Sequence, residues 1–564
     1  MLLHEKELRR QTFLEQWNLL SLSLPSILVI ILIIIVPVGW LFYLSFTGKG
    51  GDFSLANYEK MITYKSYARV FITTFQVSFL TTLVCILMGY PLAYFMAQLS
   101  DRMAAVCMLT VLLPFWTSLL VRTYAWLVLL QKKGILNDFA IEIGLWETPI
   151  KLVHNLTGTL IGMAHIMLPF LVLPLYGAMK RIEKDMTHAA ANLGATPIQV
   201  FWKVFFPLSL PGLVAGSLIV FVLCLGFYVT PAVLGGGRVV MVATQITAIL
   251  ENQFNWGAAS SLGVVLLAST LLILVLAARF LKLDQVLSED IEMNWWNRPA
   301  TETQITHGKR IWLYTLATVI MLLLIVPTLI VIPMSFSDSQ YLEFPPKNWS
   351  LRWYFEYFET LKWMNATKTS FLIGFLTMLV ATPLGTMAAY ALYVSGHPAA
   401  KAIFVLLITP MIVPVILIAI GTFYAFGRIG LNNTIGGLVL AHTALAAPLV
   451  MIIITAAFRT YDMNQERVAR SLGASRLKAF MVITLPQIRF SVITSALLAF
   501  LTSFDEVIIS IFISGGVNAT LTKHMFSALR DFIDPTIAAI STIMVLISTT
   551  LLLATQFLGS KSTK

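Results

Sequence analysis

One polar motif occurs twice in this chain of 564 residues. The first copy, HAAANLGATPIQVFWKVFFPLSLPGL, occupies residues 188–213, and the second, RVARSLGASRLKAFMVITLPQIRFSV, occupies residues 467–492. The residues that the copies share lie 279 positions apart without a gap: Leu193, Gly194, Ala195, Phe201 and Pro207 correspond to Leu472, Gly473, Ala474, Phe480 and Pro486. A polar insert that recurs at one offset between apolar stretches indicates two homologous units in one chain.

Composition places both units in a membrane. The chain is 58% hydrophobic and 12% charged, with a mean hydropathy of +0.83, and these values exclude an ordinary soluble domain. Because a spanning helix needs about 20 apolar residues, the sequence predicts an all-α membrane protein with about twelve spans: 24–46, 70–99, 104–130, 157–178, 210–235, 258–281, 311–336, 370–394, 401–426, 436–458, 489–514 and 536–558. Six spans per half give the halves the same orientation, which is a parallel repeat.

The spans and the motif divide the chain into four predicted segments: an N-terminal segment at 1–22, a first repeat at 23–281, a linker at 282–310 and a second repeat at 311–564. The first span is of full length and lacks a small-residue cleavage site, so we expect a retained helix and no cleaved signal peptide. Lys and Arg are more frequent in the segments that lie inside when both termini are cytoplasmic. We therefore expect both polar motifs in the cytoplasm and the loops 236–257 and 515–535 outside.

The motif itself predicts a helical hairpin. Gly194 and Gly473 permit a sharp turn between two short helices. Pro207 and Pro486 are expected to end the second short helix before the next span begins, because proline cannot donate a helical hydrogen bond. A polar hairpin on the water side of the bilayer can receive another protein, and the alternative is a surface hairpin without a partner.

The motif resembles the EAA loop of type I ABC importer permeases, whose consensus is similar to EAAxxxGAxxxxFxxxxLPxxxPG. In that family the loop forms the coupling helix, which docks into a groove of a cytoplasmic ATPase. The resemblance implies this role for Ala190, Gly194, Ala195, Phe201 and Pro207 in the first copy, and for Ala469, Gly473, Ala474, Phe480 and Pro486 in the second. The acidic position of the consensus is occupied by His188 and Arg467, with Glu466 adjacent, and Phe490-Ser491 replaces Pro211-Gly212.

Other segments extend the resemblance over nearly the whole chain. The stretch LPFWTSLLVRTYAWLVLLQKKGILN at 113–137 is similar to the first permease of spermidine/putrescine importers, whereas SFDEVIISIF at 503–512 and LTKHMFSALRDFIDPTIAAIST at 521–542 are similar to the second. The chain thus resembles a fusion of both permeases. The resemblance implies import of a small cationic solute, such as putrescine or spermidine, from a periplasmic binding protein into the cytoplasm by alternating access in a bacterial inner membrane. Related permeases that carry iron, phosphonates or opine-like solutes provide the alternatives.

The energy source is not in this chain. The phosphate-binding pattern G-x-x-x-x-G-K-[ST] does not occur in the sequence. We therefore expect a transport subunit and no enzyme, with no cofactor or metal of its own, and the resemblance implies two separate ABC ATPase subunits that bind ATP and Mg. An ion-coupled secondary transporter can also have six plus six helices, but the two glycine-hinged polar loops favour the ATP-driven class. The sequence contains no basic domain with an aromatic platform, so we do not expect it to bind nucleic acid.

Acidic residues inside a predicted span point to the solute. Asp505 and Glu506 lie in the eleventh span, where a charge near the bilayer centre costs at least about 2.5–3.5 kcal/mol. The equivalent positions of the first half are Gly226 and Phe227, so the acid pair belongs to one half only. A cationic amine would supply the counter-charge, and the alternative is an internal ion pair, for example with Arg122. Aromatic faces also attract ammonium groups, which gives a predicted solute pathway of Asp505, Glu506, Tyr228, Phe504 and Trp116.

Overall fold

The computed structural model describes residues 2–48, 51–281, 311–340, 344–532 and 534–560. Over these ranges the chain is helical, and extended pairing is limited to the isolated bridges Thr47–Phe53 and Ser337–Trp349. The predicted linker at 282–310 lies outside the described residues.

The described residues form nine helices that are long and apolar enough to cross a membrane: Arg10–Ser45, Lys65–Gln98, Leu156–Arg181, Pro197–Leu225, Trp256–Arg279, Ile311–Met334, Leu361–Ser395, Ile435–Thr460 and Arg476–Phe504. The third predicted span is a bent pair, Asp101–Pro114 and Leu119–Leu129. Shorter apolar helices, Val415–Ile429 and Thr536–Thr550, overlap the second part of the ninth predicted span and much of the twelfth. The predicted all-α membrane fold is confirmed.

Short helices connect the long ones. They are Ala56–Thr63, Ile135–Glu142, Lys184–Asn192, Val229–Leu234 and Val242–Gln253 in the first half, and Arg352–Glu359, Ala400–Leu407, Thr409–Ile412, Asn464–Ser471, Ile508–Ile513 and Leu521–Ser527 in the second. Several helices recur at the offset of the polar motif: Leu156–Arg181, Phe206–Leu225 and Val229–Leu234 correspond to Ile435–Thr460, Leu485–Phe504 and Ile508–Ile513. The repeat therefore extends well beyond the motif.

Packing divides the chain into two compact units that do not follow the repeats. The first unit comprises residues 1–44, 357–528 and 546–564, and the second comprises residues 45–356 and 529–545. Each unit contains segments from both repeats. The predicted repeat boundaries stay a prediction, because packing and sequence repetition group the residues by different criteria.

In the first unit, the N-terminal helical run Arg10–Ser45 packs on helices of the second repeat. The Ser26 hydroxyl donates to the Leu384 carbonyl at 2.8 Å, and the Thr422 hydroxyl donates to the Ile33 carbonyl at 3.2 Å. These bonds join two ends of the sequence in one unit.

In the second unit, the first helix of the second repeat, Ile311–Met334, packs on helices of the first repeat. His165 Nε2 donates to the Leu324 carbonyl at 3.0 Å, and the ring of Tyr314 lies 5.0 Å from that of Phe95. The first spanning helix of each repeat is thus packed among helices of the other repeat.

Close contacts between helices rest on small residues. Gly216 faces the helix Leu156–Arg181, where an added Cβ would lie 2.9 Å from the Leu171 carbonyl oxygen and 3.1 Å from its Cα. Small residues of this kind let helix backbones approach each other in a membrane, where van der Waals packing holds helices together. An added Cβ at Gly177, in the same pair of helices, would meet nothing within 4 Å.

We predict that Gly216→Ala lowers the free energy of unfolding by about 1–3 kcal/mol, since the new methyl group meets backbone atoms that cannot rotate away. Gly177→Ala should leave stability unchanged or slightly raised, because alanine favours the helix. Thermal unfolding of both variants in detergent compares them, and equal melting temperatures would contradict the close approach at Gly216.

Candidate functional site

Each polar motif forms two short helices joined by a glycine turn: Lys184–Asn192 and Pro197–Val200 in the first copy, and Asn464–Ser471 and Arg476–Ala479 in the second. Gly194 has a φ of +87° and Gly473 a φ of +94°, a conformation that residues with a Cβ rarely adopt. An added Cβ at either glycine would meet nothing within 4 Å. Backbone conformation alone therefore explains the need for glycine.

The second short helix begins at a capped residue in both copies. The Thr196 hydroxyl accepts from the Gln199 N–H at 3.4 Å, and the Ser475 hydroxyl accepts from the Lys478 N–H at 3.3 Å. Such caps satisfy backbone donors that have no partner within the helix. The two copies thus share the turn and the helix start.

The expectation that Pro207 and Pro486 end the second short helix is wrong. The helical runs Pro197–Leu225 and Arg476–Phe504 are each continuous through the proline. A π turn precedes each proline, so that the Phe206 N–H donates to the Phe201 carbonyl, five residues back. The proline has no backbone N–H to donate. The wider turn shifts the hydrogen-bond register beside it, so that the helix continues.

The ten predicted loop residues have matching environments in the two copies. Ala190, Ala195 and Phe201 are half-buried, like Ala469, Ala474 and Phe480, whereas Gly194 and Pro207 are exposed, like Gly473 and Pro486.

Apolar side chains project from both loops at equivalent positions. Leu193 is 89% exposed and its counterpart Leu472 is 83% exposed, while Ile198 and Leu477 are 72% and 73% exposed. Because large apolar side chains that cluster on a surface often mark a contact with another molecule, this pattern indicates one docking surface per loop.

The two loops share an aromatic contact with a spanning helix, and the second loop adds a buried carboxylate. In the first, the Tyr94 ring lies 5.3 Å from Phe201 and 5.1 Å from Phe205. In the second, the Tyr390 ring lies 5.1 Å from Phe480, and the buried Glu466 carboxylate accepts hydrogen bonds from the Tyr390 hydroxyl and, at 2.7 Å, from the Thr484 hydroxyl. Glu466 therefore holds the second loop against the spanning helix Leu361–Ser395, which carries Tyr390. The sequence did not reveal this role, because Glu466 stands one position before the acidic position of the consensus.

The N-terminal helix also contacts the second loop. Glu15 Oε1 accepts from Arg476 at 2.6 Å and from Arg470 at 3.3 Å. Exposed pairs of this kind contribute little stability, but they fix where the N-terminal helix lies in the first unit.

The helix that follows each loop breaks and restarts three residues later. Residues 226–228 separate Phe206–Leu225 from Val229–Leu234, and residues 505–507 separate Leu485–Phe504 from Ile508–Ile513. The residues before the restart, Tyr228 and Val507, have φ,ψ of −116°,−54° and −105°,−48°. Breaks inside a spanning segment are tolerated where they are buried in protein or line a cavity, which makes them candidate positions on a pathway.

The predicted acid pair lies in the second break. Glu506 Oε1 accepts from the Ile509 N–H at 2.7 Å, and the Glu506 carbonyl accepts from the Thr522 hydroxyl at 2.8 Å. Glu506 therefore caps the restarted helix, a role that neither sequence interpretation included. Asp505 is half-buried at the end of Leu485–Phe504, and the buried Phe504 packs on Phe371 at 4.9 Å.

The other predicted pathway residues belong to the second unit. Tyr228 is buried, close to the Thr247 and Arg530 side chains. The Trp116 side chain lies outside the part of the chain that the structure describes. Phe504, Asp505 and Glu506 are thus adjacent in the first unit, whereas Tyr228 occupies the equivalent break of the other repeat.

Polar side chains hold the second break from several sides. His442 Nδ1 lies 2.7 Å from Ser503 Oγ, before the break, and Nε2 lies 3.4 Å from Ser510 Oγ, after it. Lys523 donates to the Ser514 carbonyl, and burial lowers the pKa of its amine. The break is consequently a defined structure and not a frayed helix end.

The sequence matches one protein family over two segments. Residues 8–283 and 381–562 match the family described as "Binding-protein-dependent transport system inner membrane component". Two matched segments in one chain agree with the two repeats.

Relatives in this family have names that refer to polyamines. The chain is 32% identical over 258 residues to the spermidine/putrescine transport system permease protein PotB of Haemophilus influenzae, covering 45% of this chain and 88% of that protein. It is 33% identical over 227 residues to the putrescine transport system permease protein PotI of Escherichia coli, covering 39% of this chain and 80% of that protein. It also aligns with a chain of a solved bacterial alginate ABC transporter at 18% identity and a TM-score of 0.40, over 50% of this chain and 98% of that one.

We predict that Glu506→Gln and Glu506→Ala differ in stability. Glutamine keeps an oxygen acceptor for the Ile509 N–H, so thermal stability should be retained, whereas alanine leaves that donor unsatisfied and should cost about 1–3 kcal/mol. Thermal unfolding of the two variants in detergent measures the difference. Equal stability of the two variants would show that Glu506 does not cap the helix.

Proposed function

Because the chain belongs to the family of binding-protein-dependent transport system inner membrane components, we propose that it supplies both permease halves of an ATP-driven polyamine importer. One chain supplies both permease halves, since the family matches it twice. The solute assignment is supported by the relatives named for spermidine and putrescine. The duplicated polar loop carries the proposal, because it provides two equal docking positions in one chain.

Each loop receives one cytoplasmic ABC ATPase subunit, and those subunits bind ATP and Mg. Leu193 with Ile198, and Leu472 with Leu477, are the apolar contacts that a partner would cover. Both termini and both loops lie in the cytoplasm, and a periplasmic binding protein delivers the solute to the opposite side. Closure of the two ATPase subunits moves the loops, and the continuous helices behind the loops carry this motion to the breaks at 226–228 and 505–507.

The solute passes the helix breaks by alternating access. Asp505 and Glu506 offer carboxylates to a cationic amine, with Phe504 beside them and Tyr228 and Trp116 on the other repeat. The Glu506 carboxylate uses Oε1 to cap Ile509, so its second oxygen is the one that would meet an amine. Burial of the solute's charge between acids and aromatic rings offsets the cost of removing it from water.

The test of the assignment is reconstitution with the cognate binding protein and ATPase in liposomes. Putrescine or spermidine should bind to the binding protein, stimulate ATP hydrolysis and enter the liposomes in an ATP-dependent manner. Stimulation by iron, a phosphonate or an opine-like solute in place of polyamines would instead assign a different cargo to the same machine. Uptake driven by a proton gradient without ATP would contradict the ATP-driven mechanism.

We predict that Gly194→Val and Gly473→Val each abolish solute-stimulated ATP hydrolysis and uptake. Valine at a φ near +90° costs about 1–3 kcal/mol of backbone strain, which the loop relieves by changing its shape at the docking surface. Gly430→Val is the matched control, since Gly430 has a φ of +72° and open space around it but lies outside both loops. Equal transport by Gly473→Val and Gly430→Val would contradict the coupling role of the second loop.

We predict that Asp505→Asn and Glu506→Gln reduce polyamine uptake by at least about tenfold, equivalent to about 1.4 kcal/mol, while expression and thermal stability are kept. Asp52→Asn, which neutralises an exposed acid, should transport normally. Uptake of radiolabelled putrescine at several concentrations measures the effect. An internal ion pair predicts the reverse pattern, with normal uptake and lowered stability, because it would leave a buried partner charge unpaired.

A further inference from the structure

An ion-pair cluster lies next to Tyr228, within the second unit. Arg530 Nη1 lies 3.4 Å from Glu251 Oε1, and Arg530 Nε donates to Asp531 Oδ1 at 2.9 Å. The Tyr228 hydroxyl lies close to the Arg530 side chain. The side chains of Arg530, Glu251 and Asp531 are 39%, 45% and 37% exposed, so the cluster borders open space and is accessible to reagents.

Glu251 and Arg530 occupy one position of the repeat. They are 279 residues apart, the offset that also relates the two polar loops. Each follows a segment that starts in the same way: the Val242 N–H donates to the Thr74 hydroxyl and the Leu521 N–H donates to the Ser370 hydroxyl, both at 2.9 Å. The pair is therefore a contact between two copies of one structural position.

A contact between equivalent positions has a geometric consequence. Two parallel repeats in a membrane are related by an axis along the membrane normal, and under a two-fold rotation the midpoint of two equivalent points lies on the axis. Atoms 3.4 Å apart at equivalent positions thus lie beside that axis. Secondary transporters built from internal repeats bind their solutes where the repeats meet, and by the same geometry a bond on the axis would cross the route of a solute here.

We propose that Glu251 and Arg530 form the outer gate of the solute pathway. The assignment of this gate to the outer side of the membrane rests on the proposed function, since both residues belong to the loops 236–257 and 515–535 that are predicted to lie outside. The pair holds the outer end closed at rest and separates when the solute is admitted. Because Arg530 lies close to Tyr228, its movement connects the gate to the helix break of the first repeat.

The charges suit a position on the axis. Identical charged residues at one position of two symmetric halves would repel each other at this distance. A glutamate in one repeat and an arginine in the other attract instead, and they do so only because the two halves have different sequences.

A reducible crosslink tests the gate. Glu251→Cys combined with Arg530→Cys, treated with a short disulfide-containing thiol crosslinker in the complex with its ATPase, should lose uptake and should no longer respond to solute-loaded binding protein. Cleavage of the linker by reduction should restore both. A crosslinked complex that transports at the uncrosslinked rate would overturn the proposal. The unsubstituted chain, whose Cys85, Cys107 and Cys224 are buried, provides the background reaction.

Charge variants supply an independent measurement. Glu251→Gln should raise ATP hydrolysis in the absence of solute by about two- to fivefold, the range expected from losing an exposed ion pair. Asp531→Asn is the matched control, because it removes the same charge from the cluster without breaking the contact between equivalent positions. The exchange Glu251→Arg with Arg530→Glu should return hydrolysis to its original rate.

The outcomes separate the gate from the cargo assignment. Equal increases in Glu251→Gln and Asp531→Asn would indicate a general surface-charge effect and overturn the gate. Failure of every polyamine to stimulate the unmodified complex would overturn the solute assignment alone, since hydrolysis without solute still compares the gate variants.

Discussion

Backbone hydrogen bonding inside a membrane is the constraint on which this structure depends. A helix that stops within the hydrocarbon region exposes N–H and carbonyl groups that lipid cannot satisfy. The chain nevertheless interrupts a spanning helix twice, and at the second interruption side chains supply the missing partners: Glu506 accepts from Ile509, and Thr522 donates to the Glu506 carbonyl. The position of a carboxylate in the membrane is thus explained first by the backbone that it completes. Its charge can then also attract a cationic solute, as we propose.

The two halves share geometry and differ in chemistry. Both loops have the glycine turn, the capped helix start, the π turn and a tyrosine ring against the equivalent Phe201 or Phe480, yet only the second adds a buried carboxylate, Glu466. The same contrast appears at the breaks, where Gly226 and Phe227 correspond to Asp505 and Glu506. Backbone features recur because they are needed wherever the fold is repeated, whereas side chains at equivalent positions are free to take different roles in each half.

Much of the fold and part of the candidate site were predictable from sequence, for physical reasons. Hydropathy located the nine long apolar helices of the described residues because desolvation is a strong, local signal, and the glycine turn was predictable because few residues tolerate a φ near +90°. The breaks at 226–228 and 505–507 were missed because apolar stretches flank them on both sides, and because Asp505 and Glu506 were interpreted as charges within a continuous span. The fate of Pro207 was predicted wrongly because a π turn leaves no compositional trace. Tertiary partners such as Tyr390 for Glu466, or Arg530 for Glu251, depend on packing between distant segments.

The placement of the N-terminal helix has a consequence for how the protein is made. Ser26 bonds to Leu384, 358 residues later, and Ile33 bonds to Thr422, 389 residues later. During synthesis the packing surface of this helix is therefore covered only by lipid until its partners, Leu384 and Thr422, have been translated. Contacts of such long sequence separation form slowly. Because the N-terminal helix belongs to the same polypeptide as its partners, its effective concentration near them is raised. The covalent connection between the two repeats thus affects assembly.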